Sequence, residues 1–151
     1  MTNDERPALS GAELEVLKAL WVRGSGTVRQ VNDLLSERGK TWAYTTVMTL
    51  LQRLSGKGYA TIDESGPAYV YQPATSREEL MRIRAQDVAN ELCGGATSTL
   101  VLNLMEGQTF NSEEISRLRH LVERLDSERG DPSAASDDQK PKRTRNRSPK
   151  P

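Results

Sequence analysis

The stretch TWAYTTVMTLLQRLSGKGY, residues 41–59, decides how the rest of the chain is interpreted. Steps of about 100° per residue place five apolar side chains on one stripe of a predicted helix over residues 41–55. The opposite face carries threonines, a glutamine and an arginine, whereas Glu, Lys and Ala would stabilise a solvent-facing helix better. We therefore expect this second face to contact a partner. The apolar stripe consists of Ala43, Val47, Leu50, Leu51 and Leu54.

Two further helices are predicted before this stretch by capping boxes, in which two side chains satisfy free backbone N–H groups at a helix start. Ser10 and Glu13 form the first box, and Gly24 is placed to end that helix. Thr27 and Gln30 form the second box. The helix of residues 41–55 is therefore the third in the chain.

The apolar pattern changes from helical to alternating after Gly58. Two β-prone runs, YATI (59–62) and AYVY (68–71), are joined by the turn sequence ESGP, and Pro73 follows them. Three helices and a hairpin in this order predict a winged helix-turn-helix. In that fold the third helix enters the DNA major groove and the hairpin, or wing, lies along the backbone.

The residue types on the exposed face suit double-stranded DNA. Gln can pair with adenine, Arg with guanine, and a threonine methyl can meet the thymine methyl group, while charges and hydroxyls hold phosphates. Packing remains an alternative for the two aromatic residues near the helix start, and plain solvation for the two basic residues near its end. The predicted DNA contacts are Thr41, Trp42, Tyr44, Thr45, Thr46, Thr49, Gln52, Arg53, and, at phosphates, Lys57, Tyr69 and Tyr71.

Three more helices are predicted after the hairpin, starting near Ser76, Thr97 and Asn111. The middle one, residues 97–106, is apolar on nearly every side and must be covered on all sides. Two short neighbours cannot cover it alone, so we expect a second copy of the chain to form a homodimer. The predicted dimer interface consists of Leu100, Val101, Leu104, Met105, Leu118, Leu121 and Leu125.

The fold class is thus mainly α with a small β-hairpin: a winged helix-turn-helix domain followed by a three-helix dimerisation region. We predict a disordered N-terminus at 1–8, a winged-helix DNA-binding domain at 9–75, a helical dimerisation domain at 76–126, and a disordered basic tail at 127–151. Two interpretations of the tail stay open: an inert extension, or a weak contact with DNA of any sequence.

Composition narrows the function further. The 151 residues carry 21 basic and 21 acidic side chains, so any basic footprint is local. Cys93 is the single cysteine, which excludes an intrachain disulfide and favours a reducing compartment. No long apolar run or apolar N-terminal signal is present, so we expect a cytoplasmic protein without membrane insertion. Beside His120, the only histidine, there is no metal-ligand cluster, and neither metal nor cofactor is expected.

An enzyme is the competing class, and the sequence offers it no site. No nucleophile with a base, no phosphate loop and no unassigned carboxylate pair stands out, because Glu13, Glu79 and Glu114 occupy capping positions. Two other classes remain open beside a DNA binder. One is a winged-helix regulator that senses a small molecule, and the other is a protein-interaction module that does not bind DNA.

Four segments carry a resemblance to a known family: LSGAELEVLKALW, TVRQVNDLL, WAYTTVMTLLQRLSGKGY and AYVYQP. They closely resemble the penicillinase-repressor family of BlaI-, MecI- and CopY-type regulators, and the likeness runs over residues 9–125. The most specific pieces are YTTV, LSGKGY and YVYQP. The resemblance implies a dimeric transcriptional repressor that binds inverted repeats over promoters, with half-sites similar to TACA and TGTA.

The resemblance also implies how repression ends. In the penicillin-resistance branch, a membrane sensor with a zinc protease domain triggers cleavage in the fifth helix, after an asparagine in a Val-Leu-Asn context. Val101, Leu102 and Asn103 match that context, although Leu104 stands where the best-known members carry Phe. The candidate bond is therefore Asn103–Leu104; alternatively, Asn103 only satisfies a buried hydrogen bond. The copper-responsive branch carries paired cysteines near its C-terminus, and Cys93 departs from that pattern.

Overall fold

The computed structural model describes residues 6–130, which form six helices and one antiparallel two-stranded sheet. The predicted features of residues 1–5 and 131–151, including most of the basic tail, lie outside the described residues. The elements are α1 (Gly11–Arg23), α2 (Val28–Glu37), α3 (Tyr44–Gly56), β1 (Ala60–Asp63), β2 (Val70–Pro73), α4 (Arg77–Leu92), α5 (Thr97–Glu106) and α6 (Ser112–Glu128).

The first two helices begin as the sequence predicts. At α1, the Glu13 N–H donates to Ser10 Oγ and the Ser10 N–H donates to Glu13 Oε2, both at 3.1 Å. At α2, Thr27 and Gln30 make the same reciprocal pair. Gly24 follows α1 with a φ of 87°, a conformation that favours glycine, and its N–H returns to the Leu20 carbonyl. These contacts confirm both capping boxes and the end of α1.

The hydrophobic core lies between α1, α2, α3 and the hairpin. Four of the five predicted stripe residues of α3 are buried in it, whereas Ala43 precedes the helix and is exposed. Leu80 of α4 also belongs to this core. Large core side chains that are fully buried include Val16, Leu17, Leu20, Val31, Leu35, Val47, Leu51 and Leu54.

The hairpin is fixed to the helices through its second strand. β1 and β2 pair antiparallel with Ile62 opposite Tyr71, and each strand begins one or two residues later than predicted. Tyr71 also exchanges two backbone hydrogen bonds of 2.9 Å with Gly26, which lies between α1 and α2. This bridge sets where the wing leaves the helical body.

Residues 6–8, which the sequence predicted as part of a disordered N-terminus, lie against the winged part of the chain. The Tyr59 hydroxyl donates to the Pro7 carbonyl at 2.8 Å, and the Arg6 guanidinium stands 4.5 Å from the centre of the Tyr59 ring. Arg6 also donates to the Thr75 hydroxyl. These contacts join residues more than fifty positions apart, so no local pattern could have indicated them.

The chain divides into two compact units, Met1–Asn103 and Leu104–Pro151, so the boundary lies within α5. The predicted domain boundary at residues 75/76 stays a prediction. Within the first unit, α4 contributes Leu80 to the core. α5 and α6 contain no buried residue. Across residues 6–130, no helix combines the length and the apolar character that crossing a membrane requires.

Candidate nucleic-acid interface

The packing of α3 determines which of its faces reaches solvent. Because Val47, Leu50, Leu51 and Leu54 are buried, the opposite side of the helix points outward. Six of the side chains predicted to contact DNA lie on this exposed side: Tyr44, Thr45, Thr46, Thr49, Gln52 and Arg53.

A groove separates this part of α3 from the wing and has a volume of about 720 Å³. Tyr69 lies on its wing side, and Tyr44 and Gln52 lie on its α3 side. Its third side is the start of α2, where Arg29 is exposed and the unpaired N–H groups of the helix carry partial positive charge. The structure thus brings predicted contacts from helix and wing together along one groove that can accept an anionic backbone. Its full lining is Thr27, Val28, Arg29, Tyr44, Met48, Gln52, Pro67, Ala68, Tyr69 and Tyr71.

Arg29 lines this groove but was not among the predicted contacts. Its position two residues after the N-cap Thr27 was the available signal, since phosphates bind readily at helix N-termini and a nearby arginine adds charge.

The helix begins later than predicted, at Tyr44 rather than Thr41. Ala43 has extended backbone angles (φ −65°, ψ 150°) and no side chain that could cap the helix. Thr41 is exposed, but Trp42 is half-buried against the core, with the Lys40 ammonium 5.9 Å from its ring centre. The structure therefore favours the packing alternative for Trp42, because much of its ring is unavailable to a partner.

The structure contradicts the predicted contact between Tyr71 and a phosphate. Only 2% of its surface is exposed, and the side chain belongs to the core cluster. Burial raises the pKa of its hydroxyl, and the charges of Tyr69, Glu64 and Tyr44 act in the same direction. Tyr69, by contrast, is 53% exposed and keeps its predicted access to a phosphate.

The structure also contradicts the predicted contact between Lys57 and a phosphate, because the ammonium group of Lys57 forms an ion pair and a hydrogen bond within the chain. Its Nζ lies 2.7 Å from Glu13 Oε2 and donates to the Ala8 carbonyl at 2.9 Å. Burial of Glu13 would raise the pKa of its carboxyl. The hydrogen bonds from Lys57 and the Ser10 N–H, with the charges of Lys57 and Arg53, nevertheless hold that pKa below its ordinary value of 4.5. Lys57 therefore joins the end of α3 to the start of α1.

The polar side chains on the exposed face of α3 differ in whether they are already hydrogen-bonded. Thr49 Oγ1 donates to the Thr45 carbonyl at 2.9 Å. Within residues 6–130, the side chains of Thr45, Thr46, Gln52 and Arg53 make no such bond, and their donors and acceptors face solvent. Four side chains of this face are therefore available to an external partner.

The other residues singled out from the sequence lie away from this groove. Cys93 is half-exposed at the end of α4, and His120 is exposed on α6 with Nδ1 3.9 Å from Glu123. Asn103 makes a hydrogen bond, as the alternative to cleavage supposed, because its Nδ2 donates to the Thr99 carbonyl at 3.1 Å, but the residue is exposed in the single chain and not buried. Between residues 6 and 130 no group of three or more His, Cys, Asp or Glu side chains could hold a metal ion.

The predicted dimer-interface residues leave apolar surface uncovered in the single chain. Leu100 and Leu118 are half-buried, and the other five are exposed: Val101, Leu104, Met105, Leu121 and Leu125. Large apolar surfaces of this kind mark sites of interaction.

Three helices, an exposed polar face on the third, and a wing beside it define the class of winged helix-turn-helix proteins. The penicillinase repressor family matches this chain over residues 9–124. The chain belongs to that family of transcriptional repressors.

Two individual relatives agree with this assignment. The penicillinase repressor of Bacillus licheniformis is 32% identical over 117 residues, which cover 78% of this chain and 91% of the relative. The transcriptional regulator BlaI of Mycobacterium tuberculosis (strain CDC 1551 / Oshkosh) is 32% identical over 124 residues, or 81% and 88% of the two chains. Among solved structures, the Bacillus licheniformis BlaI monomeric form in complex with the blaP half-operator is 35% identical. The structural match covers 50% of this chain and 90% of the chain in that complex, with a TM-score of 0.42.

Proposed function

We propose that this repressor binds inverted repeats in promoter DNA as a homodimer, through the exposed face of α3. One observation carries the proposal. The apolar face of α3 packs in the core, and its opposite face exposes polar side chains that make no side-chain hydrogen bond among the described residues: Thr45, Thr46, Gln52 and Arg53. The chain acts by binding rather than by catalysis and needs no cofactor for it.

The chemistry of this face suits base edges in the major groove. Gln52 can pair with an adenine through its amide, and Arg53 can pair with a guanine through two parallel N–H groups. Tyr69 and Arg29, on the other sides of the groove, can hold the phosphate backbone and thereby fix the register of α3. Base contacts would then supply sequence specificity, and phosphate contacts would supply affinity.

The uncovered apolar surface of α5 and α6 supports the homodimer. A two-fold dimer would present two α3 helices to successive major grooves, so each operator would be a pseudo-palindrome. Linking two half-sites raises the affinity well above that of either half alone, because the second contact forms within the same complex. Dimerisation and repression are therefore coupled.

Repression ends, in this proposal, when the dimer interface is broken. The candidate bond, Asn103–Leu104, lies inside α5, where Asn103 is exposed but the backbone is helical. A protease needs an extended substrate, so α5 must open locally, and Gly107 just beyond its end favours such fraying. The protease activity would be triggered by a membrane sensor, as the family resemblance implies.

Exposure of cells to a β-lactam tests this relay. We expect mass spectrometry to detect a fragment ending at Asn103 in the wild-type chain, and no cleavage between positions 103 and 104 in an Asn103→Ala chain. An intact chain that nevertheless leaves its promoters would contradict cleavage and indicate a different inducer.

The DNA-binding claim is tested by mapping the promoters that the chain occupies across the genome and then measuring affinity for one of them. Arg53→Ala should weaken specific binding by about 1–3 kcal/mol, since it removes a base contact. Arg82→Ala, which removes an exposed arginine from α4, is the matched control and should leave specific binding unchanged. Equal effects of the two substitutions would contradict the assignment of α3 as the recognition helix.

A further inference from the structure

The three threonines on the exposed face of α3 are not equivalent. A hydroxyl group has one proton to donate, and Thr49 donates it to the Thr45 carbonyl at 2.9 Å. Thr45 and Thr46 make no side-chain hydrogen bond within the described part of the chain. The donor of Thr49 is therefore occupied, whereas those of its two neighbours are available.

The bond inside α3 also fixes how Thr49 is presented. A hydrogen bond from Oγ1 to the carbonyl four residues earlier keeps the oxygen against the helix backbone and leaves the side chain only the rotamers compatible with that bond. The γ-methyl group is the other substituent on Cβ and has no polar partner. The bond narrows the range of its positions before any DNA is bound, so less side-chain entropy is lost on contact.

We propose that Thr49 is a specificity-determining residue that recognises a thymine through the 5-methyl group of the base. This inference rests on the proposed DNA-binding function and assigns one base type to one side chain. The major-groove edge of a thymine carries a methyl group, and threonine methyls contact it. Gln52 lies three residues further along the same exposed face, so an adenine contact by Gln52 would fall on a neighbouring base.

Uracil differs from thymine only by the missing 5-methyl group, so it isolates this contact. We would replace the thymines of one half-site of a mapped operator with uracil, one at a time, and measure the affinity of the full-length chain. At one position the wild-type chain should lose about three- to fourfold in affinity, the effect of withdrawing one buried methyl group. The other positions should change little.

Two substitutions separate the methyl group from the hydroxyl. Thr49→Val keeps a methyl group and removes the oxygen, so it should bind the operator about as well as wild type and show the same uracil penalty. Thr49→Ser keeps the hydroxyl and removes the methyl group. It should bind the thymine operator as weakly as wild type binds the uracil operator, with no further loss on uracil. Thr46→Ser is the matched control and should retain the wild-type penalty, and thermal unfolding of each variant confirms that it is folded.

The inference is overturned if no single uracil replacement lowers the operator affinity of the wild-type chain, while Arg53→Ala still weakens operator binding. An affinity that survives Thr49→Ser but is lost in Thr49→Val would also overturn it, because the hydroxyl would then make the contact. Absence of specific binding by the wild-type chain would instead reject the proposed function, and the inference with it.

Discussion

The third and sixth helices show how one sequence pattern leads to two structural outcomes. α3 and α6 are both amphipathic, and each carries its apolar residues on one stripe. The stripe of α3 is buried within the chain, whereas α6 contains no buried residue. Periodicity therefore predicts which face of a helix is apolar, but it does not say whether the same chain covers that face.

The polar faces of the two helices also differ: charged side chains of α6 are paired with each other, whereas the polar face of α3 carries no such pair among residues 6–130. On α6, Arg117 lies 3.0 Å from Glu113 and Arg124 lies 3.7 Å from Glu128, so acidic and basic side chains one turn apart compensate each other in solvent. The polar face of α3 leaves Gln52 and Arg53 without hydrogen bonds inside the described chain. Each helix thus leaves a different face uncovered, and in the proposed function α3 presents its polar face to DNA and α6 its apolar face to a second copy.

The largest effect that this comparison predicts is on folding. Leu51→Ala should lower the free energy of unfolding by about 2–5 kcal/mol, because Leu51 is fully buried and its truncation leaves a cavity. Leu125→Ala removes the same atoms from a side chain of α6 that is 52% exposed, so at low protein concentration its effect should be much smaller. Urea unfolding of both variants measures the difference. Equal losses in dilute solution would show that α6 is covered within its own chain.

The next effect concerns assembly. Leu121→Asp places a charge on the apolar face of α6 and should weaken dimerisation by at least about 1–3 kcal/mol for each protomer, the cost of burying an uncharged polar group, since no partner is available for the carboxylate. Ser116→Asp introduces the same charge on the polar face and is the matched control. Sedimentation measures both. A wild-type chain that is a stable monomer at micromolar concentration would contradict the proposed homodimer.

A smaller effect is expected at the pair that joins α3 to α1. Lys57→Met leaves the buried Glu13 carboxylate without its cation and should cost about 1–3 kcal/mol at neutral pH. The pKa of Glu13 is lowered by folding, so its contribution is present above 4.5 and is lost as the pH falls through the lowered value. The difference between wild type and Lys57→Met should therefore shrink in acid.

Urea unfolding at neutral and acidic pH measures this difference. In a Glu13→Gln background, which cannot ionise at this position, the cost of Lys57→Met should not change between the two pH values. A cost of Lys57→Met that is unchanged by acid would reject the ion pair as its origin.

The smallest effect should come from the exposed ion pair on α6. Arg117→Ala is expected to cost only about 0.3–0.5 kcal/mol, because both side chains are mostly exposed and water screens their attraction. The same unfolding measurement applies. A loss as large as that of Lys57→Met would mean that the polar face of α6 is not simply solvated.

Much of the fold could be predicted from local sequence patterns. The capping boxes at Ser10 and Thr27, the glycine after α1 and the apolar stripe of α3 each depend on residues within one or two helical turns. The third helix begins later than predicted because Ala43 has extended backbone angles and supplies no capping side chain. Local patterns are reliable where the responsible contacts are themselves local.

The site was harder to predict because long-range contacts decide which side chains are free. Lys57 pairs with Glu13, 44 residues earlier, although Glu13 already had a full explanation as a capping residue. Tyr71 is buried where its strand meets Gly26, also far away in sequence.

The predicted strand over residues 68–71 gave Tyr69 and Tyr71 equivalent orientations, because side chains two positions apart in a strand lie on the same face. The observed strand begins at Val70, so Tyr69 precedes β2 and is not bound by that equivalence. The two tyrosines therefore did not need to share a role.

The most direct test of the central claim is a map of amide chemical shifts in the isotope-labelled chain, with and without a mapped operator duplex. A scrambled duplex of equal length and composition reports contacts that do not depend on sequence. We expect changes specific to the operator to concentrate on α3 between Tyr44 and Arg53 and on the wing around Tyr69. Changes that are identical for the two duplexes, or that centre on α5 and α6, would contradict the account of α3 as the helix that reads DNA.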